Sequence, residues 1–364
     1  DSLRALATDS LTMADRTLFN TQRPDVCIVI LEGFSSRLMT TLGGAPDIAV
    51  QMDSLTREGV LFTNFYANSF RTDRGLVSIL SGYPAQPTTS IMKYPRKTQN
   101  LPAIAGSLKK AGYSAKYYYG GDADFTNMRS YLMSSGFEDI VADKDFPVAD
   151  RLVFRRLLDD LKEEAATLPA PDGQKQPAYR VIQTSSSHEP FEVPYRRLEN
   201  DAMNSFAYTD SCVGDFIRQY RELPQWKNTV VLLVPDHLGA TPEPVNNFMI
   251  ERYQIPLLMV GGAIEKPRRI DVYGSQQDIA ATLLAQLGLP HGEFVFSKDL
   301  MNPASPHFAF FTVPDAFGVA TADNHLIFDN QSGKVVLDEG EHKGANLRAG
   351  EAYLQKLYDD LATR

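Results

Sequence analysis

Cysteine, tryptophan, basic charge and long apolar runs are all scarce in this sequence. Among 364 residues there are two cysteines and one tryptophan. Cys27 lies on an apolar strand pattern and Cys212 on an apolar helix pattern, so both read as buried thiols and say little about redox compartment. Lys and Arg number 36 against 45 Asp and Glu, a formal net charge of -9. That balance argues against a nucleic-acid partner, since phosphate backbones are gripped by basic stripes and none is present. The longest apolar runs, "VCIVIL" and "VVLLV", fall far short of the ~18 residues of a membrane span. There is no internal repeat and no low-complexity tract. A starting methionine is also missing, and Asp1 at the first position suggests a processed or excised piece from which a signal peptide or anchor was removed.

What is present is a globular composition, 43% hydrophobic and 22% charged. After a polar lead-in, 1–23, short β-branched runs alternate with helical patterns, which argues for an α/β fold on a parallel sheet. The strand candidates are "VCIVIL" from Val26, "SAKYYY" from Ser114, "YRVIQT" from Tyr179, "VVLLV" from Val230 and "PLLMV" from Pro256. Their runs are continuous rather than alternating, so they should be buried on both faces. Helices are expected from Asp47, Leu101, Arg151, Asn204 and Gln276, the last ended by Gly288. Beyond about Met301 three short strands and a final helix read as a small antiparallel subdomain. The implied division is a lead-in 1–23, a main domain 24–300 and a subdomain 301–364. A loop is expected from Leu168, where Pro, Gly and Gln accumulate.

In open α/β sheets ligands gather beyond the carboxyl ends of the strands. Glu32 follows "VCIVIL", His188 follows "YRVIQT", and Asp236 and His237 follow "VVLLVP". Singly, each has an ordinary structural reading as a cap or a hydrogen-bonded loop residue. Together, carboxylates and imidazoles delivered from several strands suit a divalent metal, Zn, Mn or Mg. Thr72, in "NSFRTDRGL", reads as the N-cap of the helix that follows and also as a nucleophile, since metal coordination would lower its hydroxyl pKa. Arg71 and Arg74 flank it, and a helix N-terminus between guanidinium groups favours an anionic substrate.

These motifs resemble, in order, those of the sulfatase-like branch of the alkaline phosphatase superfamily, most closely the lipoteichoic acid synthase-like phosphoglycerol transferases. "VILEGFSS", "NSFRTDRGLVSILSGYPA", "SSSHEPF", "VLLVPDHLG" and "SQQDIAATLLAQLGL" carry the resemblance, which runs from about Pro24 to Leu300. It implies a mostly parallel sheet between helices. It also implies one divalent cation on Glu32, Thr72, Asp236 and His237. Thr72 would attack the phosphorus of a phosphatidylglycerol-like lipid head group, and His188 would hold the phosphate or protonate the leaving oxygen. The phosphothreonine ester would pass its group to a glycan or polyol acceptor, or to water. A bacterial cell membrane, with the catalytic domain on its outer face and the membrane reached through a segment absent here, is the implied setting.

Departures from the family pattern shape the expectation further. "FRTDRG" lacks the Cys/Ser-x-Pro-x-Arg signature of true sulfatases, which weakens sulfate-ester hydrolysis. Where relatives place a histidine, a tryptophan and an arginine around glycerophosphate, this chain has Gly120, Asn127 and Arg129. Phosphoethanolamine transfer and diester hydrolysis therefore stand as alternatives, with a non-catalytic polyanion-binding descendant behind them. "VPDHLG" carries a leucine before its glycine, a change expected to move a loop without removing ligands. A shortened loop, or missing residues, is expected between Val148 and Arg151. Tyr195, Arg196 and Arg197 read equally as phosphate contacts or as a solvated loop. His291, His307, His325 and His342 have no metal-like partner in sequence.

Overall fold

The computed structural model describes residues 16–142, 148–169 and 175–364. Most of the lead-in, residues 143–147 before the helix expected at Arg151, and residues 170–174 of the loop beginning at Leu168 lie outside the described residues.

Among the described residues, fourteen strands form three sheets. Those of the main sheet are β1 (Asp25–Leu31), β2 (Val60–Phe62), β4 (Ser114–Tyr119), β5 (Asp139–Val141), β6 (Ala178–Gln183), β7 (Thr229–Pro235), β8 (Leu257–Val260) and β9 (Arg268–Ile270), in the spatial order β5-β4-β6-β1-β7-β8-β2-β9. A two-stranded sheet pairs β3 (Phe65–Tyr66) with β10 (Gly274–Ser275). Neighbours from β5 to β7 run parallel. The expectation of an α/β fold on a mostly parallel sheet between helices therefore holds. The run from Pro256 departs from it, because β8 is antiparallel to both β7 and β2. No α-helix lies between β7 and β8 to make the crossover a parallel return needs.

The continuous apolar runs fill two cores, because successive side chains of a strand point to opposite faces. On one face Val26, Ile28 and Ile30 join Leu76, Ile79 and Leu80 of the helix Thr72–Ser81 and Leu283 of the helix Ile279–Gln286. On the other, Cys27, Val29 and Leu31 meet Phe154 and Leu157 of the helix Asp150–Ala166 and Val213 and Phe216 of the helix Asp201–Arg221. Both cysteines are buried and unbridged.

Helix ends differ from expectation where polar side chains decide them. The helix expected from Asn204 begins at Asp201, because Asn200 accepts a hydrogen bond from the Met203 N–H at 3.0 Å. The helix expected from Asp47 is confined to Val50–Leu55, and its first N–H groups are bound by a residue distant in sequence. Asp210 accepts from Gln51 at 2.7 Å and from Met52 at 2.9 Å.

The segment after Met301 forms four strands rather than three: β11 (Ala309–Val313), β12 (Ala316–Ala320), β13 (His325–Asp329) and β14 (Lys334–Glu339). The polar stretch 330–333 is a hairpin turn ending at Gly333 with φ +67, where glycine has no steric penalty. The sheet shares the main core, since Phe310 and Phe317 pack with Tyr353 of the terminal helix Leu347–Thr363. Among the described residues, no helix is long and apolar enough to cross a membrane.

Candidate active site

The parallel run β4-β6-β1-β7 brings four carboxyl ends to one edge, and the site lies there. Glu32 follows β1 and Asp236 and His237 follow β7, placed side by side because Leu31 pairs with Pro235. Thr72 comes from elsewhere, at the start of its helix.

Thr72 is the first residue of that helix, not its cap. The N-cap position is Arg71, which makes no side-chain capping bond. The Thr72 hydroxyl points away from the helix backbone. It lies 2.8 Å from Asp236 Oδ2, 3.1 Å from Glu32 Oε2 and 3.3 Å from His237 Nε2. His237 Nε2 is also 3.4 Å from Glu32 Oε1. The other ring nitrogen, Nδ1, is 2.9 Å from the Leu238 carbonyl, a bond that turns Nε2 inward.

Close backbone approaches hold these groups together. Asp236 Oδ1 accepts from the N–H groups of Gly33 and His237, at 2.9 and 2.7 Å. A Cβ on Gly75 would meet the Asp236 carbonyl oxygen at 2.4 Å, so only glycine lets the helix reach the turn. Gly239 donates to the Gly33 carbonyl at 2.7 Å, which shows how the turn accommodates Leu238 while keeping its glycine contact. Behind the helix, Asn68 is buried and bonds the side chains of Gln276 and Gln277 at 2.8 and 2.9 Å, while Gln276 donates to the Pro235 and Asp236 carbonyls.

This cluster has more acceptors than protons. One hydroxyl proton faces two carboxylates and an imidazole nitrogen, and Asp236 and Glu32 are 0% and 6% exposed. Burial and the charge of Glu32 hold the Asp236 carboxyl well above its usual range. Burial also acts to raise Glu32, but its bonds to His237 and Asp236 outweigh this and lower it to about 2. Burial disfavours a charged His237, yet the Asp236 and Glu32 carboxylates raise it to about 9. The ligand atoms of Glu32, Asp236 and His237 lie within 4.8 Å of one another, and carboxylate and imidazole donors at that spacing suit a divalent cation. The residues fit a metal.

The cluster opens into a cleft of about 840 Å³ lined by Arg71, Thr72, Arg74, His188 and His237 among others. Arg74 donates to the Thr89 carbonyl at 3.2 Å, and both arginines stack on Phe70. His188 is exposed, with Nδ1 2.8 Å from the Glu189 carbonyl. Asp150 shapes the turn that carries His188 by accepting from the Ser185 and Ser186 N–H groups and from Thr209.

Arg129 stands apart from this group. Its guanidinium binds Asp124 at 2.9 Å, and it is not among the residues lining the cleft. Asn127 donates to the Met92 carbonyl, and the Gly120 carbonyl accepts from the Val148 N–H. Arg196 and Arg197 bind Asp201 and the Asp47 carbonyl, also outside the cleft lining. His307 is buried, and His325 meets the Tyr273 hydroxyl at 3.2 Å. The structure does give His342 acidic neighbours, since Asp323 and Glu341 come within 4.8 Å of it on an exposed surface. Sequence reasoning missed Lys93, Tyr119, Gln183 and Thr184 in the cleft. The last three stand at the carboxyl ends of β4 and β6, so the rule that found Glu32 reaches them too. No pattern marked Lys93. Burial, then the charges of Glu32 and Asp236, raise the Tyr119 phenol to about 12, which keeps it a donor.

With the geometry in place, comparison with known proteins decides the family. The family model described as Sulfatase matches residues 24–289. The chain belongs to the sulfatase family. Within it, the chain is similar to lipoteichoic acid synthase 1 of Bacillus subtilis (strain 168), with 21% identity covering 91% of this chain and 57% of that protein. It is similar also to phosphoglycerol transferase I of Xanthomonas campestris pv. campestris (strain B100), with 27% identity over 55% of this chain and 31% of that protein. The chain therefore spans about half or less of the length of these curated relatives. Among solved structures, the lipoteichoic acid synthase LtaP from Listeria monocytogenes superposes with a TM-score of 0.79 at 17% identity, covering 99% of this chain and 97% of that one. An alkaline phosphatase superfamily protein from Vibrio parahaemolyticus gives 0.78 at 24% identity over 98% and 96%. These likenesses show the fold of this sulfatase-family member.

Proposed function

We propose that the protein is a metal-dependent transferase that moves a phosphoglycerol-type head group from a phospholipid, through a covalent ester on Thr72, to a glycan or polyol acceptor at the outer face of a bacterial membrane. One observation carries this reading. The Thr72 hydroxyl sits at a helix N-terminus, within 3.3 Å of two carboxylates and an imidazole, and faces a cleft that also holds Arg71, Arg74 and His188. Glu32, Asp236, His237 and Thr72 would hold one Mn, Mg or Zn. When bound, the cation would supply Lewis acidity and lower the pKa of the Thr72 hydroxyl.

The chain's own groups do the rest. Arg71, Arg74 and the unpaired N–H groups of the first helical turn bind phosphate oxygens. Thr72 Oγ1 forms a bond to phosphorus while the bond to the diacylglycerol oxygen breaks, and the hydroxyl proton leaves to water in the cleft, from which Thr72 regains it in the second half. His188 protonates the departing oxygen. In the second half the acceptor oxygen bonds to phosphorus, its proton returns to His188, and Thr72 leaves with the proton it gave up. Arg129 has a smaller part here than the resemblance implies, because Asp124 holds it. A second reading, phosphoethanolamine transfer, rests on Asp73, a cleft-lining carboxylate beside Thr72 that suits an ammonium group.

The test is intact-protein mass after incubating wild type, Thr72→Ala and His188→Ala with Mn and a short-chain phosphatidylglycerol. The expected result is a glycerophosphate adduct that maps to Thr72, accumulates in the histidine variant and is absent from Thr72→Ala. Turnover by Thr72→Ala would overturn the covalent route. An adduct formed only from phosphatidylethanolamine would select the second reading.

A further inference from the structure

Beside the cleft lies a groove of about 300 Å³ that shares Thr88 and Asp315 with it. One wall is the β11–β12 turn at Asp315, and the other is the terminal helix, which contributes Glu351, Gln355 and Tyr358. Asn330 comes from the β13–β14 turn, and Phe317 and Leu354 add apolar surface. The junction is built in. Asp315 donates its N–H to the Pro87 carbonyl at 3.3 Å and accepts from the Asn330 N–H at 2.7 Å, and its Oδ2 accepts from Gln331 at 3.0 Å. On β11, which leads into that turn, the Thr312 N–H donates to the Asn68 carbonyl at 2.8 Å. Asn68 is also bonded by Ser78 of the Thr72 helix. The groove is therefore held in register with Thr72 by backbone bonds together with the buried Asn68 and Ser78 side chains.

The two cavities differ in charge. Arg71, Arg74 and Lys93 line the cleft, as an anionic donor requires, whereas no Lys, Arg or His is among the described residues lining the groove. Asp315 and Glu351 would repel a polyanion there. Carboxylate, amide, hydroxyl and phenol groups beside an aromatic and an aliphatic side chain match a polyhydroxyl ligand, whose O–H groups both donate and accept and whose C–H faces rest on apolar surface.

We propose that this groove is the acceptor subsite and that it takes an uncharged polyol or glycan rather than a chain of glycerol phosphates. The proposal rests on the transfer reading above, in that a ligand here presents a hydroxyl at the junction with the cleft. It assigns function to the segment 301–364, which the catalytic cluster does not use.

The test separates binding from transfer. Calorimetric titration of wild type and of a Gln355→Ala/Tyr358→Ala double variant uses glycerol, maltoheptaose and a laminari-oligosaccharide as uncharged probes, with an oligo(glycerol phosphate) as the polyanion. Diacylglycerol release and the Thr72 adduct are followed in parallel. An uncharged probe should bind wild type, accelerate adduct turnover, and weaken about tenfold in the double variant, with adduct formation unchanged. Glu351→Lys should raise affinity for the oligo(glycerol phosphate). Equal binding by wild type and double variant, no binding by any uncharged probe, or wild-type preference for the polyanion overturns the groove assignment. Groove-dependent binding without a Thr72 adduct leaves the subsite standing and refutes the transfer reading instead.

Discussion

Gly75 and Thr72 sit three residues apart, and the smaller of them decides what the larger can do. Gly75 lets the helix rest on the Asp236 carbonyl, with no room for a methyl group. Gly75→Ala must push the first turn outward and carry the Thr72 hydroxyl away from its acceptors. Such overpacking is expected to cost about 1–3 kcal/mol of stability and, through displacement of the hydroxyl, about a hundredfold in rate. Chemical denaturation and lipid turnover measured on the same preparation check both. Loss of stability with full activity would show that the approach is structural only. At this scale much of the site was legible. Glu32, Asp236 and His237 are read from strand ends because a strand fixes where its last residue goes. Arg129 was named from a motif position, and the structure pairs it with Asp124 outside the cleft lining, a partner that the motif position does not reveal.

Helices and turns are joined by buried polar groups, and these set two further expectations. Asn68 joins the approach to the Thr72 helix, the two glutamines at 276 and 277, and the Phe310 carbonyl of β11. Asn68→Ala would leave several buried groups without a partner, at about 1–3 kcal/mol each, read as a lowered denaturation midpoint at unchanged slope. Asp210 joins two helices. Burial pushes it up to about 7 against the opposing pull of the Gln51 and Met52 N–H groups. A carboxyl whose folded pKa lies above its unfolded value near 3.9 gives its full stabilisation below about pH 4 and loses it as pH rises through 7. In that window the folded protein holds a proton that the unfolded chain has released. Asp210→Asn removes the titration, so its stability relative to wild type should climb by about 1.4 kcal/mol per pH unit from pH 4 to 7. A constant difference across that range would exclude the assignment. Nothing in the local sequence of 50–55 reveals that its cap comes from residue 210, since the two are adjacent only after folding.

For the molecule as a whole, the cluster of Glu32, Thr72, Asp236 and His237 bears on stability as well as on the proposed chemistry. The two buried carboxylates of the cluster repel each other, and a cation binding only to the folded chain would offset that repulsion. Adding Mn at about one hundred times its dissociation constant should stabilise the protein by about 2.7 kcal/mol, seen as a rise in melting temperature. Chelator reverses the rise, and His237→Ala should abolish most of it. An unchanged melting temperature in wild type with saturating Mn, Mg and Zn would remove the metal from the proposal.

The sequence alone determined the elements with strong patterns: β1, β6 and β7 through their continuous apolar runs, and the helices through apolar residues spaced three and four apart, whereas β4, expected to be buried on both faces, leaves Ser114, Lys116 and Tyr119 only partly buried. Hydrophobic periodicity is local, and so is the rule that places polar residues at strand ends. Tertiary structure alone decided the antiparallel direction of β8, the fourth strand after Met301 and the side-chain partners of Thr72. It also placed the groove shared between Thr88 and the terminal helix. Each of these depends on which distant backbone approaches which, as Gly75 does Asp236. Such contacts are set when the chain closes on itself, and no stretch of sequence contains both partners.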